Sequence, residues 1–485
     1  MKQCRVWIRV MFLSAAGSVV SNQSVEAQWQ EDDCEQLLEV QSFTQSDFFG
    51  WTVISLGDVN DDGVIDVAVS SPFTGAQSFG MIRVYSGADG SQIWSRSENL
   101  QSAVLGFAME VAGDWNDDGV LDVLAGAPFN GPTGGRVWVY SGTDGATLHI
   151  LNPSDVPGDS FGVALATGGD YNGDGIDDVL VGSFGVDAGG DNAGRVYVYS
   201  SGSGALITTI DGSGDDSEFG IGLSFLGDIN DDGRDEIIVG QRLPDFWSGL
   251  AHVYSWNGLG STLEYTIEGV GMGYNLIGDR IEGGRDLNGD DIPDFIVGDM
   301  QAGEAPVFSG SDGTLLYTLA PPGEVGDFAG CHIIDDIDGD GVADVLGASW
   351  FSDAGAPGAG KVFLFSGVDG AQIRTMTYTV PDGGLATDVR AAGDVNGDGA
   401  LDFLVGGTGG GFNGPPTGRI FILAGIAMCP AADLDGDCVV GAMDLAILLG
   451  NWGPCPDPDD CPADLNGDGQ VSAADLAILL GNWGA

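Results

Sequence analysis

Between Gly57 and Pro72 the chain reads GDVNDDGVIDVAVSSP, which sets Asp58, Asn60, Asp62 and Asp66 at positions 1, 3, 5 and 9 of one loop. Side-chain oxygens at that spacing, with a backbone carbonyl at position 7, suit a hard cation such as calcium. Gly63 permits the sharp turn that wraps such ligands round an ion. The apolar run Val67–Val69 then leaves as a strand rather than a helix. The design returns six times: Asp114, Asn116, Asp118 and Asp122; Asp170, Asn172, Asp174 and Asp178; Asp228, Asn230, Asp232 and Glu236; Asp286, Asn288, Asp290 and Asp294; Asp336, Asp338, Asp340 and Asp344; Asp394, Asn396, Asp398 and Asp402. Each set is a candidate metal cage, so up to seven calcium ions are expected here.

The first acids of successive loops stand 50 to 58 residues apart, and the elements around them repeat too. A strand precedes each loop, often introduced by Phe-Gly as at Phe49-Gly50, Phe161-Gly162 and Phe219-Gly220. A strand such as DVLAGAP follows, then a Gly-led strand such as GRVWVYSG, then a fourth such as SQIWSRS or ALITTI. Four short antiparallel strands per repeat, arranged radially, make an all-β seven-bladed β-propeller. The last repeat stops after its third strand, GRIFILAG. Residues 37–43 are expected to complete that blade and lock the ring.

These Phe-Gly, acidic-loop and Gly126-Ala127-Pro128 elements resemble FG-GAP repeats, the unit of the integrin α-subunit propeller, over roughly residues 37–425. The resemblance implies calcium in the loops, and a ligand- and partner-binding face opposite them. Repeat two departs with Gly106-Phe107 in place of Phe-Gly, repeat four closes its loop with Glu236, and repeat five has Asp291 where Gly is usual. Repeat seven has no Phe-Gly. Weaker ion binding is expected in those blades.

After a link at 426–431 the pattern changes. ADLDGDCVVGAMDLAILLGNWG and ADLNGDGQVSAADLAILLGNWG are near-duplicates that place ligands at positions 1, 3, 5 and 12. The ligands are Asp433, Asp435, Asp437 and Asp444, then Asp464, Asn466, Asp468 and Asp475. Closure at 12 followed by a helix is EF-hand geometry, and two more calcium ions are expected. The pair, residues 432–485, resembles a dockerin type I domain, which implies a cohesin as partner. Ala442-Met443 and Ala473-Ala474 stand where many relatives carry hydroxyl pairs, so a more apolar contact is expected. Cys438 in place of the loop Gly is expected to strain the first site.

Lys2, Arg5 and Arg9 precede an apolar run from Val10 to Val20, and Val25-Glu26-Ala27 offers small residues for cleavage. The segment 1–27 therefore reads as a secretory signal peptide, with a secreted or cell-surface protein as the consequence. Its removal takes the formal charge from −57 to −59. So acidic a chain is a poor partner for nucleic acid or anionic lipid. Export also favours disulfides among Cys429, Cys438, Cys455 and Cys461, whose pairing the sequence leaves open among three schemes.

Catalytic patterns are scarce. Gly158-Asp159-Ser160-Phe161-Gly162 matches a hydrolase elbow, but it leads into a strand rather than a helix. His149, His252 and His332 fall in different repeats. Aromatics recur instead in the connections between second and third strands, at Phe73, Phe129, Phe184, Phe246, Trp247, Trp350, Phe351 and Phe412. Of these, Phe129, Phe246, Trp247, Trp350, Phe351 and Phe412 are the candidate ligand contacts, as interface anchors or sugar platforms. The residues point to an exported, calcium-ordered, non-enzymatic adhesion or assembly protein that binds protein or glycan. A dockerin-bearing polysaccharide lyase or glycoside hydrolase, or a lectin, is the alternative.

Overall fold

The computed structural model describes residues 11–12, 19–20, 29–31, 34–42, 44, 47–75, 77–98, 100, 102–129, 134–152, 158–242, 249–268, 280–298, 303–321, 328–350, 352–409, 418–425, 432, 434, 440–455, 461–466 and 469–483. Seven antiparallel sheets form the blades of a propeller, with strands hydrogen-bonded in chain order. Blade one runs Val53–Gly57, Asp66–Ser71, Met81–Tyr85 and Gln92–Arg96. Second strands such as Asp122–Ala127 are buried at every residue because both sheet faces meet a neighbouring blade. Hence they read as unbroken apolar runs, whereas the outer strand Thr147–Leu151 is mostly exposed or half-buried. First strands line the axis.

Blade seven takes its outer strand from the start of the chain. Gln36–Gln41 pairs antiparallel with Arg419–Leu423, setting Leu38 opposite Ile422 and Val40 opposite Ile420. The two-residue strands Met11–Phe12 and Val19–Val20 extend the same sheet. Trp29 packs on Tyr378 and Phe421 at centroid distances of 5.3 and 5.5 Å, and the Thr377 amide donates to Glu31 at 2.6 Å. Val40 is buried. Replacing it with Asp should therefore cost on the order of 3 kcal/mol, from lost apolar burial and a desolvated carboxylate. Urea unfolding in calcium checks this; a change below about 0.5 kcal/mol, the size of an ordinary surface substitution, would show that the seam contributes little.

Blades also clasp their neighbours. Trp94 Nε1 donates to the Gly142 carbonyl at 2.5 Å, and Tyr265 Oη donates to that of Gly310 at 2.7 Å. The Phe-Gly glycine is required by close approach: a Cβ on Gly50, whose φ is +88°, would lie 2.6 Å from the Arg419 carbonyl oxygen. Repeat two fills this place with Leu105-Gly106, not Gly106-Phe107. Gly80 bridges Leu105 just as Gly135 bridges Phe161 and Gly194 bridges Phe219. Leu385-Ala386 does the same in repeat seven, where Ala386 adopts a φ of 65°.

The C-terminal segment holds two nine-residue helices, Ala442–Gly450 and Ala473–Gly481, with a core that includes Val440, Leu448, Val471 and Leu479. Cys455 is bonded to Cys461, while Cys429 and Cys438 lie outside the described residues. No helix among the described residues is long and apolar enough to cross a membrane.

Candidate metal loops and axial cavity

Each propeller loop is a tight coil around its first acid. Asp58 accepts from the amides of Asp62 and Gly63 at 3.0 and 2.7 Å, and Asp114 and Asp228 repeat this arrangement. Asp170, Asp286, Asp336 and Asp394 also accept from the Gly at position 4. The position-5 acid accepts from the position-7 amide, as Asp62 does from Val64 at 3.0 Å. Asp291, which stands for Gly in repeat five, adopts a φ of 66° and donates its amide to Asp286. The turn survives that substitution.

The position-9 acids point inward. Asp66, Asp122, Asp178, Glu236, Asp294, Asp344 and Asp402 are buried, and each accepts from the position-2 amide at 2.7–3.0 Å. Five of them also accept from a Gly amide after the third strand: Gly87, Gly142, Gly310, Gly367 and Gly425. The loop is thereby tied to the next hairpin. Burial first, then repulsion from neighbouring acids, raises these carboxyls, to about 7 for Asp178 and Glu236 and about 6 for Asp294 and Asp344.

Asp336, Asp338 and Asp340 bring carboxylate oxygens within 4.8 Å of one another, the tightest acidic grouping among the described residues. Repeat six is the one loop with an acid at position 3; Asn60, Asn116, Asn172, Asn230, Asn288 and Asn396 offer an amide oxygen there instead. All-oxygen donor sets of this kind fit calcium. In the C-terminal pair, the position-12 acids Asp444 and Asp475 are buried at helix starts. They accept from the amides of Gly441 and Ser472 at 2.6 and 2.7 Å. The Gly469 amide donates to Asp464 at 2.7 Å, and the Asn466 amide donates to Asp475 at 3.2 Å. Asp433, Asp435, Asp437 and Asp468 lie outside the described residues.

The axis holds a cavity of about 890 Å³. Trp51, Phe107, Phe129, Phe184 and Trp350 border it. Trp51, Phe107 and Phe129 form an arc with centroid separations of 5.7 and 5.4 Å, and Trp51 Nε1 donates to the Phe107 carbonyl at 2.9 Å. Phe73 packs on Phe48 and Trp51 outside it. Two of the expected aromatic contacts, Phe129 and Trp350, are thus brought to one cavity. Phe246, Trp247, Phe351 and Phe412 lie outside the described residues.

Deeper in the cavity is a charged cluster that motif reading passed over. Arg390 donates to Glu110 at 2.8 Å across the ring, and His332 stands 3.4 Å from Glu282 and 3.5 Å from Asp388. Asp388 also accepts from the Val53 amide at 3.0 Å. Burial raises the Glu110 carboxyl despite Arg390 beside it. The same burial would raise Asp388, but Arg390 and His332 overcome it and hold that carboxyl at about 2. Burial and Arg390 push the His332 imidazole down, and Glu282 and Asp388 more than restore it. A readable signal existed in one column. The residue four places before each loop's first acid is Ile54, Glu110, Ala166, Ser224, Glu282, His332 or Arg390, and all but Ile54 border the cavity.

Ser160 holds no hydrolase elbow: its hydroxyl donates to the Gly158 carbonyl at 3.2 Å, and the strand Leu165–Gly169 follows.

An FG-GAP repeat model matches residues 161–199. The chain is 31% identical to integrin alpha-PS2 of Drosophila melanogaster over 242 residues, covering 45% of this chain and 17% of that protein. It is 28% identical to integrin alpha-5 of Xenopus laevis over 243 residues, 46% of this chain and 22% of the other. Mouse integrin alpha-7 is 31% identical over 208 residues, 41% and 17% of the two chains. The aligned part thus spans 17–22% of these relatives' length. The chain therefore carries the FG-GAP repeat and builds from it a seven-bladed propeller similar to integrin α subunits.

Proposed function

We propose that this chain is an exported, calcium-ordered, non-enzymatic binding protein. The propeller, spanning 28–425, engages a protein or glycan through its aromatic-bearing end, and residues 432–485 act as a dockerin that docks to a cohesin. One observation carries the reading: acidic loops recur in all seven blades, while an arc of aromatics gathers at the axial cavity. The likeness to integrin α subunits supports adhesion. The duplicated helices, each started by a buried acid at its third position, support the dockerin. Leu449, Trp452, Leu480 and Trp483 are exposed at matching places in the two halves, an apolar surface suited to a partner.

Calcium would be held by the four side chains of each loop and by the two C-terminal sets. There it would neutralise carboxylates that otherwise repel one another. Cleavage after Ala27 would leave the closing strand Gln36–Gln41 in place.

Capture from the native secretome onto the immobilised full chain tests the whole reading. A cohesin-type protein should bind in millimolar calcium, be lost in EDTA, and be lost from a chain lacking 432–485. Capture that ignores both changes would overturn the docking role. A second reading, a polysaccharide lyase or glycoside hydrolase, draws on the raised Glu110 carboxyl beside the ionised Asp388. It requires release of reducing ends or unsaturated products, which a binding protein does not give.

A further inference from the structure

The axial cavity differs in charge from the rest of the chain. The sequence has 72 acidic against 15 basic residues, and three of the basic ones lie within the first 27. Of the remaining twelve, Arg242, Arg280 and Arg390 border this single cavity, joined by His332. They face four acids, Glu110, Asp235, Glu282 and Asp388, so the lining is close to neutral. A polyanion would be repelled by the protein around it. A polycation would meet as many cations as acids here, and would prefer the acidic exterior.

The side chains are paired but not capped. Glu110, Glu282 and Arg390, which line the cavity, keep 24%, 27% and 24% of their side-chain surface exposed. His332 Nδ1 and Arg390 Nε are sealed from solvent and face the wall's own carboxylates, at 3.4 Å from Glu282 and 3.8 Å from Asp388, so the groups left to meet a ligand are the exposed parts of Glu110, Glu282 and Arg390. Planar carboxylates that accept and a guanidinium that donates together suit vicinal hydroxyls, and aromatic faces suit the apolar face of a sugar ring. The volume, about 890 Å³, falls within the roughly 300–1,000 Å³ of small-ligand sites.

We propose that the axial cavity is a sugar-binding site that takes the end of an uncharged glycan chain. The terminal ring stacks in the arc of Trp51, Phe107 and Phe129, and its hydroxyls bond to Glu110, Glu282 and Arg390. This rests on the binding reading above and names its ligand class. A whole protein surface cannot enter the cavity; a chain end can.

Calorimetric titration of the full chain in calcium tests the assignment. The probes are neutral tetrasaccharides of glucose, mannose, galactose and N-acetylglucosamine, with tetragalacturonate and tetralysine for comparison. At least one neutral probe should bind, with little dependence on salt. Phe129→Ala, at an exposed ring, and Glu110→Gln should each weaken it about tenfold, the effect of about 1.4 kcal/mol, while Leu259→Ser on a distant turn leaves it unchanged. Binding indifferent to both cavity variants would place the glycan elsewhere and leave the binding reading standing. Tetralysine bound in preference, or no neutral probe bound while a protein partner is still captured, would overturn the sugar class alone.

Discussion

Stripping divalent ions from the full chain with EGTA should lower its melting temperature by tens of degrees and expose its apolar blade interfaces. Each propeller loop packs at least four acidic or amide side chains into nine residues. Without an ion, those charges repel across a few ångströms. Their position-9 members are buried and tied to the next hairpin through Gly87, Gly142, Gly310, Gly367 and Gly425. Loop repulsion is therefore delivered straight into the blade. A site at a hundredfold excess of ligand over its dissociation constant contributes about 2.7 kcal/mol. Several such sites together exceed the roughly 5–15 kcal/mol by which domains are stable. Added salt should restore part of the loss by screening the exposed acids. Calorimetric scans before and after chelation decide the matter; an unchanged melting temperature would remove the metal role from the loops.

Arg390→Met should cost about 1.5–3 kcal/mol, the scale of a hydrogen bond to a charged group, since Arg390 and Glu110 are only partly buried. Glu110 then loses the guanidinium 2.8 Å away, and Asp388 loses the main group that holds its carboxyl down. The pH dependence has a definite sign. A depressed Asp388 carboxyl stabilises wild type above its unfolded value near 3.8, and that contribution fades as pH falls toward 2. Glu110 is raised even with Arg390 present, so its charged form opposes folding as pH rises above about 4.5. Without Arg390 that opposition grows. The gap between variant and wild type should thus be widest at pH 7 and narrow by pH 4.5. Urea unfolding at both values measures it, and Glu110→Gln in the variant background should recover part of the loss. A gap that stays constant with pH would show that packing, not charge, holds Arg390.

The blades were legible because their signals are local. A four-ligand loop, a glycine that must turn, and an apolar run buried on both faces all lie within about fifteen residues, and seven copies fix the period. The Leu105-Gly106 pair is hidden from a search for aromatic identity because the backbone asks only for a small residue at positive φ against the preceding blade, glycine at 106 and alanine at 386. The cluster of Glu110, Glu282, His332, Asp388 and Arg390 was missed for the opposite reason. Its members stand up to 280 residues apart and carry no shared motif. Only aligning the innermost strands on their loops places Glu110, Glu282, His332 and Arg390 at one level of the ring, with Asp388 two residues before Arg390 on the same strand.

The seam between Gln36–Gln41 and Arg419–Leu423 also sets an order of events during synthesis. The segment that finishes the last blade is made first, and must wait for nearly 380 residues before its mate exists. Throughout that interval its apolar Leu38 and Val40 have no proper seat, and neighbouring nascent chains offer the same third strand. The ring that resists opening once shut is therefore most open to trading strands with a second copy while it is being made.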